Sequence, residues 1–134
     1  MPRVISYKEV IEILSEVFIE NNKDIFNFEI TATNTITYHH IIKREELLLL
    51  DFPVNPSIKN GMVLSFLGHS YLNFIEYNAP DIYESINKII ILLSNEFRAP
   101  TKKERELLQV FLECFESRME GYIPIFPKYL TRVR

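Results

Sequence analysis

Apolar and polar positions along this chain switch between helical and strand-like spacing. Tyr7, Val10, Ile11, Leu14, Val17 and Phe18 recur every three or four residues, while Lys8, Glu9, Glu12, Ser15 and Glu16 face away, which predicts an amphipathic helix. Ser6-Tyr7-Lys8-Glu9 has the form of a capping box at its start, and Asn21-Asn22 ends the pattern. From Ile25 the period becomes two. Phe26, Phe28, Ile30 and Ala32 share one face with Asn27, Glu29 and Thr31 opposite, and Ile36, Tyr38, His40 and Ile42 repeat the alternation. A single buried face for both runs requires Phe26 to pair with Ile42 and Ala32 with Ile36. Thr33-Asn34-Thr35 is then the hairpin loop, with Asn34 the better carrier of its unusual backbone angles. This register predicts Phe28 and His40 inside and His39 in solvent.

Lys43–Phe52 reads equally as a short buried strand or as one and a half helical turns. Pro53–Ser57 is a loop by composition, and Asn60-Gly61 is a turn signal. Met62–Leu67 and Tyr71–Tyr77 then predict a second hairpin about Gly68-His69. Asn78-Ala79-Pro80-Asp81 opens a helix with an Asn cap, an early proline and an acid at the positive end of the dipole. Its stripe of Ile82, Ile86, Ile89, Ile90, Leu93 and Phe97 is widened by Ile91 and Leu92, which predicts contact on more than one side. Arg98-Ala99-Pro100 breaks the chain and Thr101-Lys102-Lys103-Glu104 is a second capping box. The last helix carries Leu107, Leu108, Phe111, Phe115 and Met119, flanked by Val110, Leu112 and Cys114, with Gly121 as its stop. The expected fold is α+β: an antiparallel sheet of about four to five strands in two hairpins, packed by one N-terminal and two C-terminal helices. Residues 1–121 form the domain and residues 122–134 an extended basic and apolar C-terminal arm.

Composition agrees with one folded domain: 134 residues, 47% apolar and 13% aromatic. The only cysteine, Cys114, excludes an intrachain disulfide and points to a reducing, intracellular and cytoplasmic setting. The N-terminus lacks the apolar core of a secretory signal. The longest apolar runs, Leu47–Leu50 and Ile89–Leu93, fall far short of the roughly 20 residues that cross a bilayer. Phe, Tyr, Met, Ile, Asn and Lys number 56 against 20 for Gly, Ala, Arg and Pro, a bias expected of an AT-rich genome and compatible with a viral or mobile-element source.

Charge divides the chain unevenly. Residues 1–96 hold seven Lys/Arg against thirteen Asp/Glu, and residues 97–134 hold eight against five. Such polarity steers partners rather than choosing a fold. The basic set Arg98, Lys102, Lys103, Arg105, Arg118, Lys128, Arg132 and Arg134 is interleaved with Phe97, Phe126 and Tyr129. Positive charge for phosphates and aromatic faces for bases are what single-stranded nucleic acid requires. The plainer explanation is a solvated helix face, since Glu104, Glu106, Glu113, Glu116 and Glu120 share it.

The remaining chemical candidates read as structural. Adjacent strand residues point to opposite faces, so His39 and His40 do not chelate one ion, and zinc would need His69, Cys114 or a carboxylate from far along the chain. Cys114 reads as a buried, inert thiol. Gly68-His69-Ser70 is not a nucleophile elbow. Gly61, Gly68 and Gly121 make no phosphate-binding loop. Asp81 with Glu84 or Glu76 lacks the rest of a nuclease site and reads as a helix start. No cofactor or metal is expected.

The sequence therefore points to a non-enzymatic binding protein acting through protein contacts, first as a homodimer. Ile91, Leu92, Val110 and Leu112 are the expected contact, together with Tyr122, Ile123 and Ile125 of the arm, which also carries Leu130. The alternative is a single-stranded nucleic-acid-binding protein using the basic C-terminal third. A third class is an enzyme with an unrecognised site. No membrane partner is expected.

Overall fold

The computed structural model describes residues 6–41, 49–50 and 61–120. Helix α1, Tyr7–Phe18, starts as its sequence requires: the Ser6 side chain accepts the Glu9 backbone N–H at 3.2 Å. Val10, Leu14 and Phe18 are buried along one face. The chain reverses immediately afterwards because Asn21 and Asn22 adopt positive φ (53° and 60°), a conformation asparagine tolerates better than most residues.

Residues 20–35 do not form the first strand of a hairpin. They make a tightly bonded loop organised by three polar side chains. Asp24 Oδ1 accepts from the N–H groups of Phe26 (2.9 Å) and Phe28 (3.0 Å). Asn22 Nδ2 donates to the Ile30 carbonyl at 2.8 Å, and Asn34 Nδ2 donates to that of Glu29 at 2.7 Å. Side chains thus supply bonds that a neighbouring strand would otherwise provide, which is how Asp and Asn compete with sheet pairing. Ile25, Phe26 and Phe28 are all buried, so the alternation from Ile25 is not two-faced.

Strand β1, Ile36–His40, pairs instead with β2, Gly61–Ser65, antiparallel and in the register Ile36↔Ser65, Tyr38↔Val63 and His40↔Gly61. Every residue of β2 is buried, as expected of a strand covered on both faces. Tyr7 of α1 meets Tyr38 and His40 edge-on, with centroids 5.5 and 6.3 Å away. The opposite face of β1 carries Thr37 and His39. There it meets α2, Phe66–Asn78, through His69.

No loop separates β2 from α2. Ser65 ends the strand and caps the helix, its Oγ accepting the Gly68 N–H at 2.9 Å. The expected second hairpin is therefore a strand running directly into a helix, and Gly68, Tyr71, Leu72 and Ile75 form its buried stripe. Helix α3, Pro80–Glu96, opens with Pro80 and Asp81, but Asn78 is not its cap. Asn78 belongs to the end of α2 and donates to the Phe74 carbonyl. Helix α4, Lys102–Arg118, has both hydrogen bonds of the capping box between Thr101 and Glu104.

The architecture is α+β, with four helices among the described residues and one two-stranded antiparallel sheet. This corrects the expectation of about four to five strands in two hairpins with a single N-terminal helix and two C-terminal ones. The physical reasons are the side-chain-bonded loop over residues 20–35 and the Ser65 cap that starts α2. The core joins Phe18, Phe26 and Phe28 to Leu64, Tyr71, Ile86, Ile90, Leu112 and Phe115. Among the described residues no helix is long and apolar enough to cross a membrane.

Candidate functional site

Helices α3 and α4 form an antiparallel pair held at both ends by forked ion pairs. Arg118 donates to both oxygens of Asp81 (2.7 and 2.9 Å), tying the end of α4 to the start of α3. At the connecting end Arg98 donates to both Glu104 oxygens (2.6 and 3.0 Å) and to Glu96 (2.6 Å). The Arg118 bond is the main reason the Asp81 carboxyl falls to about 2, and the Arg98 bond does the same for Glu104, also about 2. The inward faces supply Ile82, Ile86, Ile89, Ile90 and Leu93 from α3, and Leu108, Leu112 and Phe115 from α4.

Among the charged residues that the pair leaves outside, such as Glu84, Lys88, Glu106 and Glu113, stand four large apolar ones. Ile91 is 39% exposed, Leu92 41%, Leu107 43% and Val110 49%. Ile91, Leu92 and Leu107 lie in the half of the pair nearest the connection, and Val110 stands at the middle of α4. At about 1.5 Å of rise per residue, Leu92 and Leu107 stand within about one and a half turns of it. Of the expected dimer residues, Ile91, Leu92 and Val110 are therefore outward, whereas Leu112 is wholly buried in the core. Cys114, expected to be buried, is exposed one turn beyond Val110. Tyr122, Ile123 and Ile125 lie outside the described residues.

The expected basic set is largely spent within the fold. Arg98 and Arg118 are forked onto carboxylates as above, and Arg105 is ion-paired with Glu20 of the loop after α1. Lys102 and Lys103 are exposed in the first turn of α4. Phe97 is the left-handed C-cap of α3 (φ 53°) and lies edge-on to Phe18 at 6.5 Å. Phe126, Lys128, Tyr129, Arg132 and Arg134 lie outside the described residues.

A second polar cluster sits between β1 and α2. Thr37 Oγ1 donates to the Leu64 carbonyl at 3.0 Å and lies 3.0 Å from His69 Nδ1. His69 Nε2 lies 3.3 Å from His39 Nδ1. His39, expected in solvent, is 6% exposed, while His40 is only partly buried. The expectation is reversed because β1 is paired with β2 and covered by α2, leaving His40 on the α1 face. Burial lowers the His39 pKa to about 3, with the neighbouring His69 and His40 adding to the effect. Burial lowers His69 too, again helped by His40. The turn signal of Gly68-His69 hides this cluster in the sequence, because His69 lies in the first turn of α2 and not in a hairpin. Among the described residues no three His, Cys, Asp or Glu side chains converge as a metal ion requires.

Beside this cluster, Asp24 Oδ2 accepts from Ser65 N–H (3.0 Å) and Ser65 Oγ–H (2.7 Å), so one wholly buried carboxylate holds the loop to the β2–α2 junction. Burial pushes its pKa up, opposed by the four donors it accepts.

No family model, curated protein or solved structure matches this chain.

Proposed function

We propose that this is a non-enzymatic binding protein acting through protein–protein contacts, and that its first partner is a second copy of itself. The observation that carries this reading is the outward apolar set Ile91, Leu92, Leu107 and Val110 on the α3–α4 pair. The forked ion pairs brace the α3–α4 pair at both ends, so little ordering would be required on contact. Closed two-fold dimers are the commonest arrangement that buries such a surface. An intracellular setting fits an exposed, unpaired Cys114, which an oxidising compartment would leave open to intermolecular pairing.

Sedimentation velocity from low to high micromolar concentration tests the proposal. A dimer is expected, reduced to a monomer by Leu92→Asp with Val110→Asp while the far-ultraviolet circular dichroism is retained. A monomer at high micromolar concentration overturns it.

Single-stranded nucleic acid is the second reading, supported by the exposed pair Lys102 and Lys103. The carboxylates on Arg98, Arg105 and Arg118 weigh against it, since each cation must first be released to meet a phosphate. Salt-dependent retention on immobilised single-stranded DNA, lost in Lys102→Glu with Lys103→Glu, would favour it.

A further inference from the structure

A single hydroxyl proton sets the direction of the cluster between β1 and α2: Thr37 Oγ1 lies 3.0 Å from the Leu64 carbonyl, which can only accept, and with the proton there the rest of the order follows. The Thr37 oxygen is therefore the acceptor towards His69, and His69 Nδ1 carries the proton that fills the 3.0 Å gap. A neutral His69 then has its lone pair on Nε2. That lone pair accepts from His39 Nδ1–H across 3.3 Å. A neutral His39 is left with its own lone pair on Nε2, which is buried and has no hydrogen-bond partner. Each proton position follows from the one before it.

We propose that this Leu64–Thr37–His69–His39 relay is an acid-sensitive latch that ties α2 to β1 at neutral pH and releases it when the imidazoles take up protons. A proton on His69 can go only to Nε2, and two N–H groups would then oppose each other across the 3.3 Å contact. A proton on His39 can go only to the buried Nε2, where nothing among the described residues accepts it. Moving the first turn of α2 away from β1 hydrates both rings and removes both penalties.

Among the described residues, the surrounding groups do not relieve a charge in the closed form. On β1, His40 repels it. Strand β2 has no titratable side chain from Gly61 to Ser65, and α3 reaches β2 with Ser94, which bonds the Gly61 carbonyl. Helix α1 meets the other face of the sheet, with Tyr7 against Tyr38 and His40. Asp24 is the nearby carboxylate, at Gly68, and its oxygens are already held by Phe26, Phe28 and Ser65.

The test uses the full chain. Nitrogen-15 spectra of the imidazoles at neutral pH should show Nδ1–H tautomers for both His39 and His69, the minority form of a free imidazole. Amide hydrogen exchange, corrected for its intrinsic pH dependence, reads the release. For each imidazole that goes from buried and neutral to free, the opening equilibrium should rise about 30-fold between pH 7.5 and 5. That loss of protection is expected in β1 and the first turns of α2, with α4 unchanged. Thr37→Val, which removes the hydroxyl and nearly keeps its shape, should release the tautomer preference of His69. An Nε2–H tautomer on either ring in the wild type overturns the proposal. So does an ordinary titration near 6.5 for both rings, or a loss of protection equal in α2 and α4.

Discussion

Asp24 Oδ2 occupies the place where a side chain on Gly68 would have to go. A Cβ there would come within 2.2 Å of that oxygen and 3.1 Å of Ser65 Oγ. Glycine inside a helix normally costs stability relative to alanine, yet here it allows the first turn of α2 to sit directly on a buried carboxylate. Gly68→Ala should therefore destabilise the protein, by about 1–3 kcal/mol, against the sign of helix propensity. Urea unfolding at neutral pH measures it, and a stabilised variant would show that α2 does not pack on Asp24.

Asp24→Asn should be more damaging. The amide nitrogen must replace one carboxylate oxygen, and it then faces either the Phe26 and Phe28 N–H groups or Ser65 N–H and Oγ–H. Two donors would lose their acceptor in the core, at a cost of roughly 2–4 kcal/mol. Chemical denaturation checks the magnitude. Hydrogen exchange should place the earliest opening at Phe26, Phe28 and Ser65.

These two residues show why the sequence reads well in some places and badly in others. Local rules suffice for α1, α3 and α4, because caps such as Ser6 and Thr101 and stripes such as Ile82–Ile86–Ile89–Ile90–Leu93 act within one helix. They fail for residues 25–32, where an alternating pattern is overruled by Asp24, whose partner Ser65 lies 41 residues away. They fail again at Gly68, where a turn-forming glycine serves close packing instead. The hydrogen bonds of Tyr71, Leu72, Ile75 and their neighbours follow Ser65 as an N-cap, a role its position at the end of a strand conceals. For the candidate surface, the positions that widen the α3 stripe, Ile91 and Leu92, are exposed. On α4 the stripe is rotated, so Leu112 is inside and Leu107 outside.

Acid should weaken the fold through the imidazoles before the ion-paired carboxylates Asp81 and Glu104 contribute. His39 titrates near 3 in the native state against 6.5 when free, because burial and then His69 and His40 oppose its charge. Its folded pKa lies below its unfolded one, so its contribution is complete above pH 6.5 and is lost as the pH falls towards 3. The slope is about 1.4 kcal/mol per pH unit for each such group, and His69 shifts in the same direction. Glu104, lowered from 4.5 to about 2 chiefly by Arg98, loses its contribution only below pH 4.5. Asp24 works with the opposite sign, because its raised pKa favours the folded state as the pH falls, so the histidine share is the difference between wild type and His39→Leu in urea unfolding between pH 7 and 5. Acid should cost the wild type more than His39→Leu; equal slopes would mean that His39 is protonated in the native state.

Cys114 offers a direct probe of the proposed dimer. Its thiol is exposed on α4, one helical turn from Val110, so it should react fully with a thiol reagent such as dithionitrobenzoate without denaturant. A buried thiol would react only on unfolding. Disulfide formation needs Cα atoms within about 7 Å, so a covalent dimer trapped by mild oxidation and reversed by thiols would place the two Cys114 residues together at the contact. Leu92→Asp with Val110→Asp should suppress the trapped species while leaving the thiol reactive. A dimer that persists in solution, yet is neither trapped nor weakened by that variant, would place the contact elsewhere. A reactive thiol on a chain that stays monomeric would remove the α3–α4 surface as a self-contact altogether.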